Sequence, residues 1–167
     1  MKRLAVSVAA FVLAVGVLAP LGARTSEEEK IEAVIAAVIE AYRKGDSAAL
    51  GRYYAPEVTV VPGDYNPPVE GWANVEPRYR QMYANLSGVE MIRENTRMFR
   101  RGNVAWAVYQ WRFAGSMGAQ LFGAQGHTTL VLEKRKGQWV IRHNHTSVVP
   151  APGVPAETQT GTSPPPS

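Results

Sequence analysis

After Gly88 the apolar residues abandon helical spacing, and from there to Val149 the chain is written in the texture of strands. Glu90 to Phe99, Val104 to Ala114, His127 to Lys134 and Trp139 to Val149 are rich in β-branched and aromatic residues, and Arg101-Gly102-Asn103 and Arg135-Lys136-Gly137 read as hairpin turns. Strands joined by tight turns pair antiparallel, so this half of the chain predicts a four-strand antiparallel run with one face in need of apolar cover.

The residues before it supply that cover. From Glu27 to Lys44, Ile31, Val34, Ile35, Val38, Ile39 and Tyr42 recur at helical spacing, with Glu27, Glu28 and Glu29 in the first turn and Arg43-Lys44 in the last, as the helix dipole favours. Gly45 is a helix stop, and Asp46 or Ser47 caps a second short helix reaching Tyr54. Glu57 to Val61 is strand-like, and Gly63 to Pro68 is a loop. A third helix is expected from about Asn74, because Pro77 belongs in a first turn; Tyr79, Met82, Tyr83 and Leu86 form its apolar face. The predicted fold class is α+β, with about three N-terminal helices packed on a curved antiparallel sheet.

Both ends differ from this unit. Lys2-Arg3, the uncharged run Leu4 to Ala19 and the small residue Ala23 have the plan of a secretory signal peptide, residues 1–23, cleaved after Ala23. A secreted or periplasmic chain is therefore expected. The apolar run is shorter than the roughly 20 residues of a spanning helix, so stable membrane insertion after cleavage is not expected. Residues 150–167 hold six of the twelve prolines and almost no apolar bulk, and are expected to form a flexible tail. The folded domain is then 27–149. Without residues 1–23 the chain keeps 16 basic and 14 acidic side chains, a net charge of +2, and nucleic-acid binding is not expected. Absence of cysteine excludes disulfides, zinc-thiolate sites and thiolate nucleophiles. There is no phosphate-binding glycine loop and no serine elbow, and no cofactor is expected.

Several phrases carry a resemblance. Tyr42-Arg43-Lys44-Gly45-Asp46, Leu50 and Tyr53-Tyr54-Ala55-Pro56-Glu57-Val58 resemble the opening of the nuclear transport factor 2 superfamily, whose folds are α+β cones. Thr129 to Lys134, Gly137-Gln138-Trp139-Val140-Ile141 and His143-Asn144-His145-Thr146-Ser147 are similar to the closing hairpin of its SnoaL-like subgroup, which often ends in a histidine-bearing strand. The superfamily includes isomerases, cyclases, hydrolases and proteins that catalyse nothing, so the resemblance implies a cone-shaped (cystatin-like) fold with a pocket for a small, mainly apolar molecule, and no particular reaction. Aligned on Gly45-Asp46, the ketosteroid isomerase relatives place Val38 at the oxyanion-hole tyrosine and Pro62 at the general base, so that proton transfer lacks both groups; Asp64 stands two positions beyond.

Strand alternation then places Trp139, Ile141, His143, His145 and Ser147 on one face, beside Thr128, Leu130 and Leu132. The histidines end an apolar row, which is where a cone has its pocket. His143 and His145, with Asp64 assisting, are the catalytic candidates, since imidazoles titrate near neutrality. Core histidines bonded to backbone or hydroxyl groups are the alternative. Two imidazoles at this spacing fit one metal, but His127 and Glu133 fall on the opposite face by parity, so no metal site is expected. Val38, Tyr42, Tyr54, Trp72, Trp111, Leu130 and Ile141 are the expected pocket lining. Tyr109, Trp111 and Phe113 share a strand face that either lines the cone or forms a dimer surface, and a homodimer is expected because three helices cannot cover both sheet faces. The Gly-rich stretch Ala114 to Gly126 is read as a lid or partner contact, or as continued strand with bulges.

Overall fold

A computed structural model describes residues 26–149; the signal-peptide and tail expectations fall outside the described residues. The first helix, α1 (Glu27–Lys44), opens with a capping box. The Ser26 hydroxyl accepts from the Glu29 N–H at 3.1 Å and the Glu29 carboxylate accepts from the Ser26 N–H at 2.7 Å. It closes on Gly45 at φ 64°, a left-handed conformation that glycine adopts without the Cβ penalty. Asp46 caps α2 (Ser47–Gly51) by accepting from the Ala49 N–H at 2.8 Å.

The remaining elements are β1 (Tyr54–Val61), β2 (Val69–Glu70), α3 (Trp72–Tyr83), β3 (Leu86–Arg101), β4 (Val104–Met117), β5 (Gln120–Arg135) and β6 (Gln138–Val149). They form one six-stranded sheet in the order β2-β1-β6-β5-β4-β3. The sheet is mixed rather than wholly antiparallel, because β1 runs parallel to β6. The helices do not all precede it either, since α3 lies between β2 and β3. Helix α3 starts at Trp72, two residues before the expected Asn74, so Pro77 sits in its second turn. The proline forgoes a bond to the Ala73 carbonyl, and Ala73 is exposed, so water can take that bond.

Strands β4 and β5 run on to a turn at Gly118, so Ala114 to Gly126 is continued strand and not a lid. The long strands leave two faces. The inner one, under the helices, carries Ala105, Ala107, Tyr109 and Trp111 of β4, Leu130 and Leu132 of β5, and Trp139 and Ile141 of β6. Against it pack Ile31, Ile35 and Val38 of α1, Leu50 of α2 and Val75 of α3, each at most 2% exposed. Among the described residues no helix is long and apolar enough to cross a membrane.

Candidate functional site

The register of β6 decides which of its side chains reach the interior. Leu132 pairs with Ile141, but Val131 pairs with His143, so Arg142 is an extra residue and forms a β-bulge. Beyond it the alternation is inverted. Asn144, paired with buried Leu130, and Thr146, paired with buried Thr128, face inward after Ile141, while His143 and His145 face outward. This corrects the expected row of Trp139, Ile141, His143, His145 and Ser147. His127 and Glu133 also share the outer face with the two histidines, contrary to the expected parity. His143 and His145 lie 6.5 Å apart as ring centroids, and His143 is held below the usual histidine pKa by partial burial and by the neighbouring imidazole. Among the described residues no group of three His, Asp or Glu side chains is disposed to hold a metal.

Inward, the polar groups connect into a single ladder. The hydroxyls of Thr128 and Thr146 lie 3.1 Å apart, and Thr146 donates to Asn144 Oδ1 at 3.2 Å. Asn144, 4% exposed, donates from Nδ2 to the Tyr54 hydroxyl at 2.8 Å. Tyr42 donates to Tyr79 at 2.6 Å, and its hydroxyl is 2.9 Å from that of Tyr54. A phenol has one proton. Tyr42 spends its own on Tyr79, so Tyr54 donates to Tyr42, and the three phenols close the ladder as a cluster in which Tyr79 interacts with both others. Desolvation raises the pKa of all three phenols, so they remain neutral donors at any physiological pH.

Aromatic rings enclose the ladder. Trp72 stacks on Tyr54 with centroids 5.0 Å apart, and Tyr79 meets Tyr42 edge-on at 5.2 Å. Trp111 lies one inner row beyond Tyr109 on β4 and is 7% exposed, and its indole N–H is buried without a hydrogen-bond acceptor. Gly126, its cross-strand partner, leaves room for that ring: a Cβ there would lie 2.9 Å from Trp111 and 1.8 Å from the Ser147 carbonyl oxygen. Tyr109, Trp111 and Phe113 thus lie on the inner, helix-covered face of the sheet and not on its outer surface.

The expected lining residues Val38, Tyr42, Tyr54, Trp72, Trp111, Leu130 and Ile141 are all in or packed against the inner core. The catalytic candidates are not brought together with them. Asp64 is exposed in its loop, where its carboxylate accepts from the Asn66 N–H at 3.1 Å. Sequence reasoning missed Asn144 because one bulge residue inverts the alternation. Tyr79 was read as ordinary core, and only its hydroxyl partners show otherwise. Glu32 of α1 pairs with Arg93, whose guanidinium lies 6.0 Å from the Tyr109 ring centroid, so this carboxylate near the inner face is already neutralised.

The sequence profile of the SnoaL-like domain matches residues 31–152. No protein of curated function matches the sequence. Among solved structures, a proposed dehydratase of the NTF2-like family from Streptomyces avermitilis is 21% identical, with a TM-score of 0.66 over 74% of this chain and 96% of that one. A nuclear transport factor 2-like superfamily protein from Salmonella enterica is 20% identical, with a TM-score of 0.66 over 76% and 94%. A Caulobacter vibrioides protein with a cystatin-like fold is 16% identical, with a TM-score of 0.64 over 74% and 89%. At these identities the likeness is one of fold, and it agrees with the helix-covered six-stranded sheet described above. The profile match places the chain in the SnoaL-like family, and its fold is that of the NTF2-like structures.

Proposed function

We propose that this domain is a receptor for a small, mainly apolar molecule that carries an oxygen acceptor, held on the inner face between the aromatic wall and the hydroxyl ladder. The observation that carries this reading is the Trp111 indole N–H, buried and without an acceptor. An unmet buried donor is disfavoured by about 1–3 kcal/mol, which a ligand carbonyl or hydroxyl would relieve. The neutral phenols of the ladder, held protonated by desolvation, support the same ligand chemistry. Binding is favoured over proton-transfer catalysis, because the inner face offers neutral donors while the nearby Glu32 carboxylate is committed to Arg93. The histidines face outward and have no part in this reading.

Acetophenone and ethylbenzene, alike in shape but for the oxygen, test it by titration against tryptophan fluorescence. Acetophenone should bind more tightly by about fivefold, the equivalent of one hydrogen bond, and Trp111→Phe should abolish the difference. Equal binding of the two probes, or a preference that survives in Trp111→Phe, would overturn the reading.

Export by the N-terminal segment belongs to the same proposal, as does a homodimer. The dimer is supported by Ile92, Phe99, Val104 and Trp106, which are 40 to 49% exposed. Phe99 and Trp106 are cross-strand neighbours on the outer face, a combination that marks interaction surfaces.

A further inference from the structure

We propose that His143 and His145 form a two-imidazole chelate for a late first-row divalent ion, copper above all, on the outer face of β6. The site is independent of the ligand on the inner face.

The bulge creates the pair. Strict alternation would put both rings in the core row under the helices, out of reach of an aqueous ion. One extra residue, Arg142, turns them outward together, and bulges re-aim side chains in this way next to functional sites. The same shift brings His127 and Glu133 to the face of the pair, so parity no longer excludes a metal there. Residues two apart on a strand stand about 6.6 Å from each other on one face. The two ring centroids lie 6.5 Å apart, inclined at 74°. An ion about 2.1 Å from one nitrogen of each ring, with tetrahedral angles, needs the centroids about 5 Å apart. Rotation of the side chains supplies that approach, because neither ring is tied down. Among the described residues neither has a hydrogen-bond or ion-pair partner. His143 stands between Thr59 of β1 and Val131 of β5, and His145 between Val61 and Thr129. All four neighbours are short and uncharged, so no long side chain covers the rings.

The donor set selects the ion. Two imidazole nitrogens without a carboxylate suit Cu²⁺, Ni²⁺ and Zn²⁺, with Cu²⁺ held most tightly, and do not suit the oxygen-seeking Mg²⁺ and Ca²⁺. The carboxylates of this face, Glu57 and Glu133, are spent on Arg135 and Arg142, which also balances the charge of Arg142 beside the pair. His127 is engaged elsewhere, its Nε2 lying 3.3 Å from Gln110 Nε2. The chain therefore supplies two ligands, and water or a small external ligand takes the remaining positions, as in an open rather than a structural site. The exposed apolar side chains of the outer face, Ile92, Phe99, Val104 and Trp106, lie on β3 and β4, on the other side of β5 from the pair.

Calorimetric titration of Cu²⁺ into the full chain, made without a histidine tag and with glycine in the buffer to hold copper off weaker sites, tests the proposal. The wild-type chain should bind one ion saturably at micromolar concentration, and Mg²⁺ in its place should give no response. His143→Gln and His145→Gln should each weaken binding by about tenfold or more, the equivalent of one lost ligand, while His127→Gln should leave it unchanged. Both variant positions face away from the core, so the fold is retained. A second readout needs no variant: pulsed electron paramagnetic resonance of the copper-loaded wild-type chain should count two bound imidazoles. Absence of saturable binding, a count below two, or binding that survives in both His143→Gln and His145→Gln would overturn the proposal. An equal loss in His127→Gln would also overturn it, since the site would then not be this pair.

Discussion

Alanine at three consecutive positions of β6 should give a cheap–expensive–cheap pattern centred on Asn144. Asn144→Ala removes the bond from Nδ2 to Tyr54 at 2.8 Å and the bond to Oδ1 from Thr146 at 3.2 Å. At about 1 kcal/mol per bond, plus a small cavity at a site 4% exposed, the loss is about 2–3 kcal/mol. His143 is half-buried and His145 is exposed, and both face away from the core, so each alanine should cost about 0.5 kcal/mol or less. Urea unfolding followed by tryptophan fluorescence reads this directly. With a slope of about 2 kcal/mol per molar, the Asn144→Ala midpoint should fall by about 1 M or more while both histidine variants stay close to wild type. Tyr54→Phe/Asn144→Leu should be less destabilised than the sum of its single changes, because neither residue of that pair is then left facing a lost partner. If His143→Ala or His145→Ala matched or exceeded Asn144→Ala, β6 would carry no bulge at Arg142 and the inner face would be wrongly built.

Gly126→Ala should destabilise by about 1–3 kcal/mol or more, since its Cβ would lie 1.8 Å from the Ser147 carbonyl oxygen and the backbone must move; thermal melting checks it. Hydrogen bonds from Lys134 and Lys30 hold the Glu27 carboxyl near pKa 2, below its ordinary 4.5. Between those values the unfolded chain binds more protons, so this contribution is present above about pH 4.5 and is lost as pH falls toward 2; Glu27→Gln should flatten the stability profile in that window. Export predicts that protein recovered from the cell envelope or medium begins at Arg24, by intact mass, and a chain beginning at Met1 would contradict it.

Much of this architecture was legible because it is local. Helix α1 declares itself through Ile31, Ile35 and Val38 on one face, and Gly45 and the turns at Gly102 and Lys136-Gly137 use positive φ where the sequence implies it. What could not be read is non-local or turns on a single residue. Strand β1 pairs in parallel with β6, across some eighty residues, through bonds that no neighbouring pattern encodes. The bulge is one residue, Arg142, whose side chain meets Glu57 and Glu133 outside the sheet. Nothing in a run of alternating residues announces it, yet it exchanges the histidines for Asn144. The burial of Val38, Tyr54, Trp111, Leu130 and Ile141 was within reach because apolar and aromatic side chains reveal it. The hydroxyl ladder was not, because Tyr42, Tyr54 and Tyr79 become a network only when α1, β1 and α3 converge.

The indole N–H resonances of the four tryptophans give the most direct test of where a ligand binds. In a ¹⁵N-labelled chain titrated with acetophenone, the Trp111 indole proton should move downfield as it gains an acceptor, with Trp72 perturbed beside Tyr54 and Trp106 on the outer face unchanged. A saturable response at Trp106 or at the His143 and His145 rings, with Trp111 unmoved, would contradict an inner binding face.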